Sequence, residues 1–484
     1  MMMTQEAALG NLIELAEGLE AFVQQAAEEG FAAHEVEMEV WQRVLAMGRQ
    51  AMGRFFDTQG EGDVGDSIEM PDGQQWQRLD EPHRRLYQSI FGPFELERVV
   101  YGTREGQKIE LVPLDARLEL PQSEFSYVLQ NWAQSLDVDH AFARTAETLQ
   151  MIFGLNLPVD SLERMCRKMA ESVEGFRTSL KKPPVKEEGK ILVTTSDGKG
   201  IPMRRPSDQR PAGARRKKGE KANKKQMATV GAVYTVDPKM RTTDEVVAAL
   251  FGDKKHKKPK LKDKPPVAQQ KRVWSSLTME REGEIELGED IVWSWLVQEE
   301  ARRNPQGDKD LVCLMDGPRS LWIGRKHHLP REDVVEILDL LHVTPRLWEA
   351  AHLFHPEGSD EACALVRQRL LGILKGQAWY VIGGMRQRGT KQGLRGHKAD
   401  KLRVLCNYLE TNHERMKYDE YLALGYPIAS GIIEGACRHV VKDRMERAGM
   451  RWSVAGAQAM LDLRTTYVNG QWDEFQNYRI DQAK

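Results

Sequence analysis

Two apolar runs, each leading into Asp-Gly, constrain the fold of this chain more than any other feature. Lys190 to Thr195 (KILVTT) runs into Ser196-Asp197-Gly198, and Lys309 to Met315 (KDLVCLM) runs into Asp316-Gly317. Short aliphatic and β-branched runs of this kind read as buried strands, which need a sheet covered by other elements. Gly200 to Met203 is expected as a returning strand and Met227 to Val236 as a third, an antiparallel start to the sheet. Asp333 to Leu341 reads as a further strand, with a helix from about Pro345 to Phe354. From Glu357 to about Asn412 the pattern is helical, broken at Gly383-Gly384 and over 386–398. Gly425-Tyr426-Pro427 then leads into a last long helix through Glu434 towards Arg447. The expected fold class is an α/β core of mixed sheet and flanking helices, with a helical insertion.

The first part of the chain follows another rhythm. Leu12, Leu15, Leu19 and Phe22, then Val40, Val44 and Met47, recur at helical spacing and predict two amphipathic helices between Glu6 and about Met52. A Gly- and Asp-rich loop over 60–73 precedes two β-prone pieces, Glu95 to Tyr101 and Lys108 to Pro113, read as a hairpin. Phe142, Ala146, Leu149 and Phe153 mark one helix, and Leu162, Met165, Met169 and Val173 mark the next. The intervening Gly154-Leu155-Asn156-Leu157-Pro158 is a turn with Pro where a new helix can start. That pattern suits a helix-turn-helix, with Arg164, Arg167 and Lys168 on the second helix as candidate phosphate contacts, although an ordinary helical hairpin has the same spacing. The expected organisation is an acidic helical region over 1–60, a mainly helical DNA-binding region over 61–180, and a catalytic core from 186 to 343. A helical insertion over 344–426 and a core helix with the C-terminal region over 427–484 complete it.

Charge is balanced overall, with 70 Lys and Arg against 72 Asp and Glu, but it is unevenly spread. Nine acids and no Lys or Arg precede Arg43, whereas 204–225 holds ten basic residues against two acids, among them Arg215, Arg216, Lys217 and Lys218. Seven more lysines lie within 254–264. Like-charged blocks repel themselves, and their usual use is to contact phosphates with release of counterions. Five scattered cysteines without a Cys-x-x-Cys argue against a disulfide framework or a zinc ribbon and for a reducing compartment. With no signal peptide and no long apolar run, a soluble cytoplasmic protein is expected.

Asp197, Asp316 and Glu434 stand out chemically. Three carboxylates meeting at one point repel unless they bind hard cations such as Mg²⁺, which prefer oxygen ligands. Two such ions activate an attacking oxygen and stabilise a leaving one in phosphodiester transfer. Arg438, Lys442, Arg444 and Arg451 lie downstream as candidate phosphate contacts, and Trp452 as a candidate base-stacking residue, with burial in a core as its alternative. Arg438 is also spaced to pair with Glu434 at i,i+4.

The segments TTSDGKGIPM, VGAVYTVDP, LVCLMDGPRSLW, ILDLLHVTPRLWEAAHLF and GYPIASGIIEGACRHVVKDRMERAGMRWSVAGAQAMLDLR resemble the bacterial insertion-sequence transposases of the ISKra type. The resemblance runs from about Glu95 to about Gln471. It implies a DDE transposase with a ribonuclease-H-like core, in which Asp197 and Asp316 match the two aspartates and Glu434 the glutamate. Asp339 and His342 resemble an Asp-x-x-His element of related cut-and-paste families, which makes Asp339 an additional candidate metal ligand and His342 an accessory residue. The implied cofactor is a pair of Mg²⁺ ions, replaceable by Mn²⁺. The implied reaction is hydrolysis at the element end followed by attack of the exposed 3′-hydroxyl on target DNA. The implied partners are double-stranded DNA and further copies of the chain, with nucleoid association when bound. Two rivals stay open: a metal-dependent DNA nuclease without strand transfer, and an inactive DNA-binding repressor or architectural protein.

Overall fold

The computed structural model describes residues 5–70, 73–103, 109–204, 225–252, 267–447 and 449–483. Arg215, Arg216, Lys217, Lys218 and the lysines of 254–264 lie outside these residues. Two compact units are present, Met1–Phe176 with Trp472–Lys484, and Arg177–Gln471. The last segment, expected beside the core helix, thus belongs to the first unit.

In the first unit the two expected N-terminal helices span Gln5–Glu29 and Ala33–Gln59. The hairpin differs from expectation. Gly92–Arg98 pairs with the preceding His83–Ser89, and only Tyr101–Gly102 pairs with Ile109–Leu111. Three helices follow, Tyr127–Asp137, Phe142–Phe153 and Val159–Ala170, sharing a core of Leu129, Ala133, Leu149, Leu162 and Met165. Gly154 closes the second helix at φ 68°, a left-handed conformation that favours glycine, and Pro158 caps the third.

The second unit is built on a five-stranded mixed sheet flanked by helices. Its strands are β1 (Ile191–Pro202), β2 (Lys225–Val236), β3 (Gln269–Leu277), β4 (Asp310–Met315) and β5 (Val335–Leu338). They lie in the order β5-β4-β1-β2-β3. β1, β2 and β3 are antiparallel neighbours, whereas β4 and β5 run parallel to β1.

The expected turn at Ser196-Asp197-Gly198 is absent, because β2 pairs with β1 along its whole length, with Asp197 opposite Val230 and Gly200 opposite Met227. The third antiparallel strand is therefore Gln269–Leu277, and Gly200–Met203 is no separate strand. Beyond β5 a helix starts at Leu340 rather than near Pro345, since Asp339 caps it by accepting from the Leu341 N–H at 2.8 Å. Further helices span Asp360–Leu374, Ala378–Lys391, Gly396–Thr411 and Tyr418–Leu424. The second helix of this group runs through Gly383-Gly384 without a break, and a Cβ on Gly384 would stand 2.9 Å from Arg369 Nη1. Among the described residues no helix is long and apolar enough to cross a membrane.

Candidate active site

Parallel pairing joins the strands that lead to the two Asp-Gly aspartates. β4 pairs with β1 from Asp310↔Ile191 to Cys313↔Thr194, an offset of 119 positions, and Asp316 follows Asp197 by the same 119. The pairing ends there, and the same register continued three residues further would bring Asp197 level with Asp316, which follows the last residue of β4. The β4–β5 offset is 23 positions at Met315↔Leu338, so Asp339 is abreast of Asp316 in turn. Alternation puts all three on the face carrying Ile191, Val193, Val312, Leu314 and Ile337, against which the helices after β5 pack their apolar residues.

Glu434 comes from a helix covering β1 and β2. It spans Gly431–Ala436, widens into a π-turn over Cys437–Lys442 and ends with Asp443–Met445. Such wide turns recur at functional sites because they re-aim one side chain. Cys437, one turn after Glu434, donates its thiol hydrogen to Asp197 Oδ2 at 3.6 Å. Burial and the Asp197 carboxylate push that thiol well up, with Glu434 adding to the effect, so it stays a neutral donor.

Asp316 is held by three groups. Its Oδ1 accepts from the Tyr408 hydroxyl at 2.7 Å and from the Gly317 N–H at 2.6 Å, and His342 Nδ1 lies 3.4 Å from Oδ2. Burial and the Asp316 charge push the Tyr408 hydroxyl well up, which keeps it a donor. Asp339 is fully buried, and its Oδ2 accepts from the Ser430 N–H at 2.9 Å. Burial pushes its carboxyl up to about 6, opposed by the Leu341 and Ser430 N–H donors and by His342, and aided by Glu434. His342 is half-buried beside Asp316.

Asp197 and Asp316 are partly exposed and Glu434 is exposed, so solvent reaches all three. Among the described residues no three His, Cys, Asp or Glu side chains stand close enough to enclose an ion. The chemistry of the set still suits a hard cation: carboxylate oxygens on adjoining strands and a covering helix, with the nearby thiol kept protonated. Asp339 suits it less, because both its oxygens already accept backbone N–H groups.

The basic candidates separate. Arg438, Lys442 and Arg451 are exposed, and Arg438 Nε lies 3.6 Å from Asp443 rather than pairing with Glu434. Arg444, a candidate phosphate contact, is buried instead, and Trp452 takes the buried alternative. The Trp452 backbone N–H donates to Pro202 O and its carbonyl accepts from the Arg204 N–H, which locks it to the end of β1, and the Arg444 guanidinium sits 5.0 Å from its ring. In the first unit Arg164 and Lys168 are exposed and Arg167 half-buried on one helix, beside Glu124, Glu171 and Glu163 at 3.9, 2.7 and 3.7 Å respectively. Surface pairs of this kind contribute little.

Sequence reasoning missed Tyr408 and Cys437. Cys437 carried a signal, three residues after Glu434 on a helix; Tyr408 carried none.

No protein-family model matches the sequence, and no curated protein matches it. Among solved structures, the Drosophila P element transposase strand transfer complex is similar over 74% of this chain and 82% of that one, at 10% identity and a TM-score of 0.25. Any function for this chain therefore rests on its own residues.

Proposed function

We propose that this chain is a DDE transposase that cleaves the ends of its insertion sequence and joins the exposed 3′-hydroxyl to target DNA. The observation that carries this reading is the parallel pairing of β1 and β4, the strands that lead to Asp197 and Asp316, with a helix bearing Glu434 packed on β1 and β2. In this reading the five strands form a ribonuclease-H-like core, since three antiparallel strands followed by two parallel ones in the order β5-β4-β1-β2-β3 suit that fold. The helices from Leu340 to Leu424 are its insertion, and the three-helix segment of the first unit binds DNA.

Asp197, Asp316 and Glu434 would hold two Mg²⁺ or Mn²⁺ ions, which supply activation of the attacking oxygen and stabilisation of the leaving one. Tyr408 and His342 orient Asp316, and Cys437 orients Asp197. Arg438, Lys442 and Arg451, with the basic stretches of 204–225 and 254–264, bind phosphates. Asp339 caps the helix that carries His342. Holding two element ends calls for a dimer or larger assembly, acting in the cytoplasm on nucleoid DNA.

The test is cleavage of a labelled duplex carrying the DNA that flanks the chain's own coding sequence, with Mg²⁺ or with EDTA. Wild type should cut only with Mg²⁺ and join the cut end to a second duplex. Asp197→Asn, Asp316→Asn and Glu434→Gln should bind without cutting, whereas Asp339→Asn should retain cleavage. Cutting without joining identifies a nuclease, and binding without cutting identifies a repressor or architectural protein.

A further inference from the structure

We propose that a cavity in the first compact unit, anchored by Arg479, is a binding site for a phosphate group. The cavity holds about 540 Å³ and is lined by the segment from Pro121 to Phe125, by residues of Val159–Ala170 and by the end of the C-terminal helix Trp472–Gln482. Arg479 lines it and is half-buried.

The surroundings of Arg479 orient its charge without neutralising it. Nη1 donates to Gln476 Oε1 at 2.8 Å and Nη2 to Gln130 Oε1 at 2.7 Å, and both acceptors are neutral amides. Three other enclosed arginines do have an acid: Arg85 and Arg98 share Asp115 at 2.5 and 2.6 Å, and Arg303 meets Glu188 at 2.5 Å. For Arg479 no carboxylate among the described residues takes that place, and burial pulls its guanidinium down to about 10. A half-buried cation without a counter-ion is costly, and an anion entering the cavity relieves that cost.

The remaining lining selects the anion. Tyr127 brings a hydroxyl whose ionisation burial disfavours, so it remains a donor. Arg164 and Lys168 reach the same cavity from the rim, each beside an acid that an incoming ligand can displace. Set against the lining carboxylates Glu124 and Glu171, the three cations still leave the cavity net positive, and with the hydroxyl they suit a phosphate group, to which a guanidinium can bind through two parallel N–H donors. The volume also admits the rest of a nucleotide. The same phosphate chemistry is offered by a DNA strand and by a free nucleotide or inorganic phosphate.

The experiment titrates the full chain with inorganic phosphate and with adenosine monophosphate, reading affinity by calorimetry and protection by thermal melting. Wild type should bind, and Arg479→Met should weaken binding on the order of tenfold or more, as expected for loss of a charge-assisted bidentate contact. Arg479→Lys should recover only part of it. Should Arg479→Met fail to fold, the pair Arg164→Gln and Lys168→Gln, which alters only rim residues, provides the second reading and should also weaken binding. Displacement of bound phosphate by a short duplex would identify the DNA backbone as the source, and its persistence would identify a free small anion. The proposal is overturned if neither probe binds, if sulfate and chloride act equally, or if the variants bind as wild type does. Loss of this site leaves Mg²⁺-dependent nicking by Asp197, Asp316 and Glu434 as a separate question.

Discussion

Tyr408 donates its hydroxyl hydrogen to Asp316 Oδ1 at 2.7 Å while its ring closes over the Cα of Gly317. A helix of the segment after β5 thus clamps the end of β4, and Asn412 Nδ2 adds a bond to Gly317 O at 3.3 Å. A Cβ at position 317 would collide with the Tyr408 ring and stand 2.7 Å from Asn412 Nδ2. Gly317→Ala should therefore cost about 1–3 kcal/mol in urea unfolding, the range for overpacking a closed site. Tyr408→Phe should cost only about 1 kcal/mol, for one hydrogen bond, and should lower any cleavage rate while DNA affinity stays unchanged. Equal stability of Gly317→Ala and wild type would refute the clamp.

Asp339 gives the site a pH signature. Its folded pKa, about 6, lies above the unfolded 3.8 because burial outweighs its two N–H donors. The fold therefore favours the protonated carboxyl. Its stabilising contribution is whole below pH about 4 and is lost as pH rises through about 6. Melts in EDTA across that window should show wild type losing stability relative to Asp339→Asn, by at most about 3 kcal/mol for a shift of this size. Parallel melting curves for the two proteins would contradict the buried, strained carboxylate.

Much of the sheet was readable in advance, because β1, β4 and β5 are apolar runs whose character depends on local composition. What the runs did next depended on partners far along the chain. Asp197-Gly198 reads locally as a turn, yet Val230 and Thr229 keep it in a strand. The spacing of 119 between the aspartates is visible in the sequence, but it acquires meaning only from the pairing of Asp310 with Ile191. Tyr408 reaches Asp316 across 92 positions, a distance that no periodicity encodes. Basic spacing was equally silent on burial: Arg438 and Arg444 look alike in sequence, and the π-turn and the Trp452 ring decide which faces solvent.

The proline-containing stretch Leu180 to Gly189, which leads into β1, is pinned to the fold through Glu188. Glu188 is almost fully enclosed, accepting from Arg303 Nε at 2.5 Å with Lys309 Nζ at 3.4 Å. Removing one member of a buried pair strands the other charge, at about 3–5 kcal/mol. Glu188→Ala should show that loss in chemical denaturation, and Glu188→Ala with Arg303→Met should recover part of it. A loss below about 1 kcal/mol for Glu188→Ala would place the pair in solvent.

The basic residues after Glu434 should divide by exposure. Arg438, Lys442 and Arg451 face solvent, so replacing each with Gln removes a phosphate contact without disturbing packing. Each change should flatten the salt dependence of DNA affinity by about one unit of slope, because one fewer counterion is released, and the melting temperature should hold. Arg444 is enclosed, with Nη1 3.2 Å from Met450 Sδ and its guanidinium over Trp452. Arg444→Met should leave the salt slope intact and instead cost about 1–2 kcal/mol of stability, the worth of a desolvated cation–π contact. Binding titrations over a salt series, paired with melts of the same four variants, check both halves. A slope change in Arg444→Met at unaltered stability would mean that this arginine reaches DNA after all, and that the helix after Glu434 opens when DNA binds.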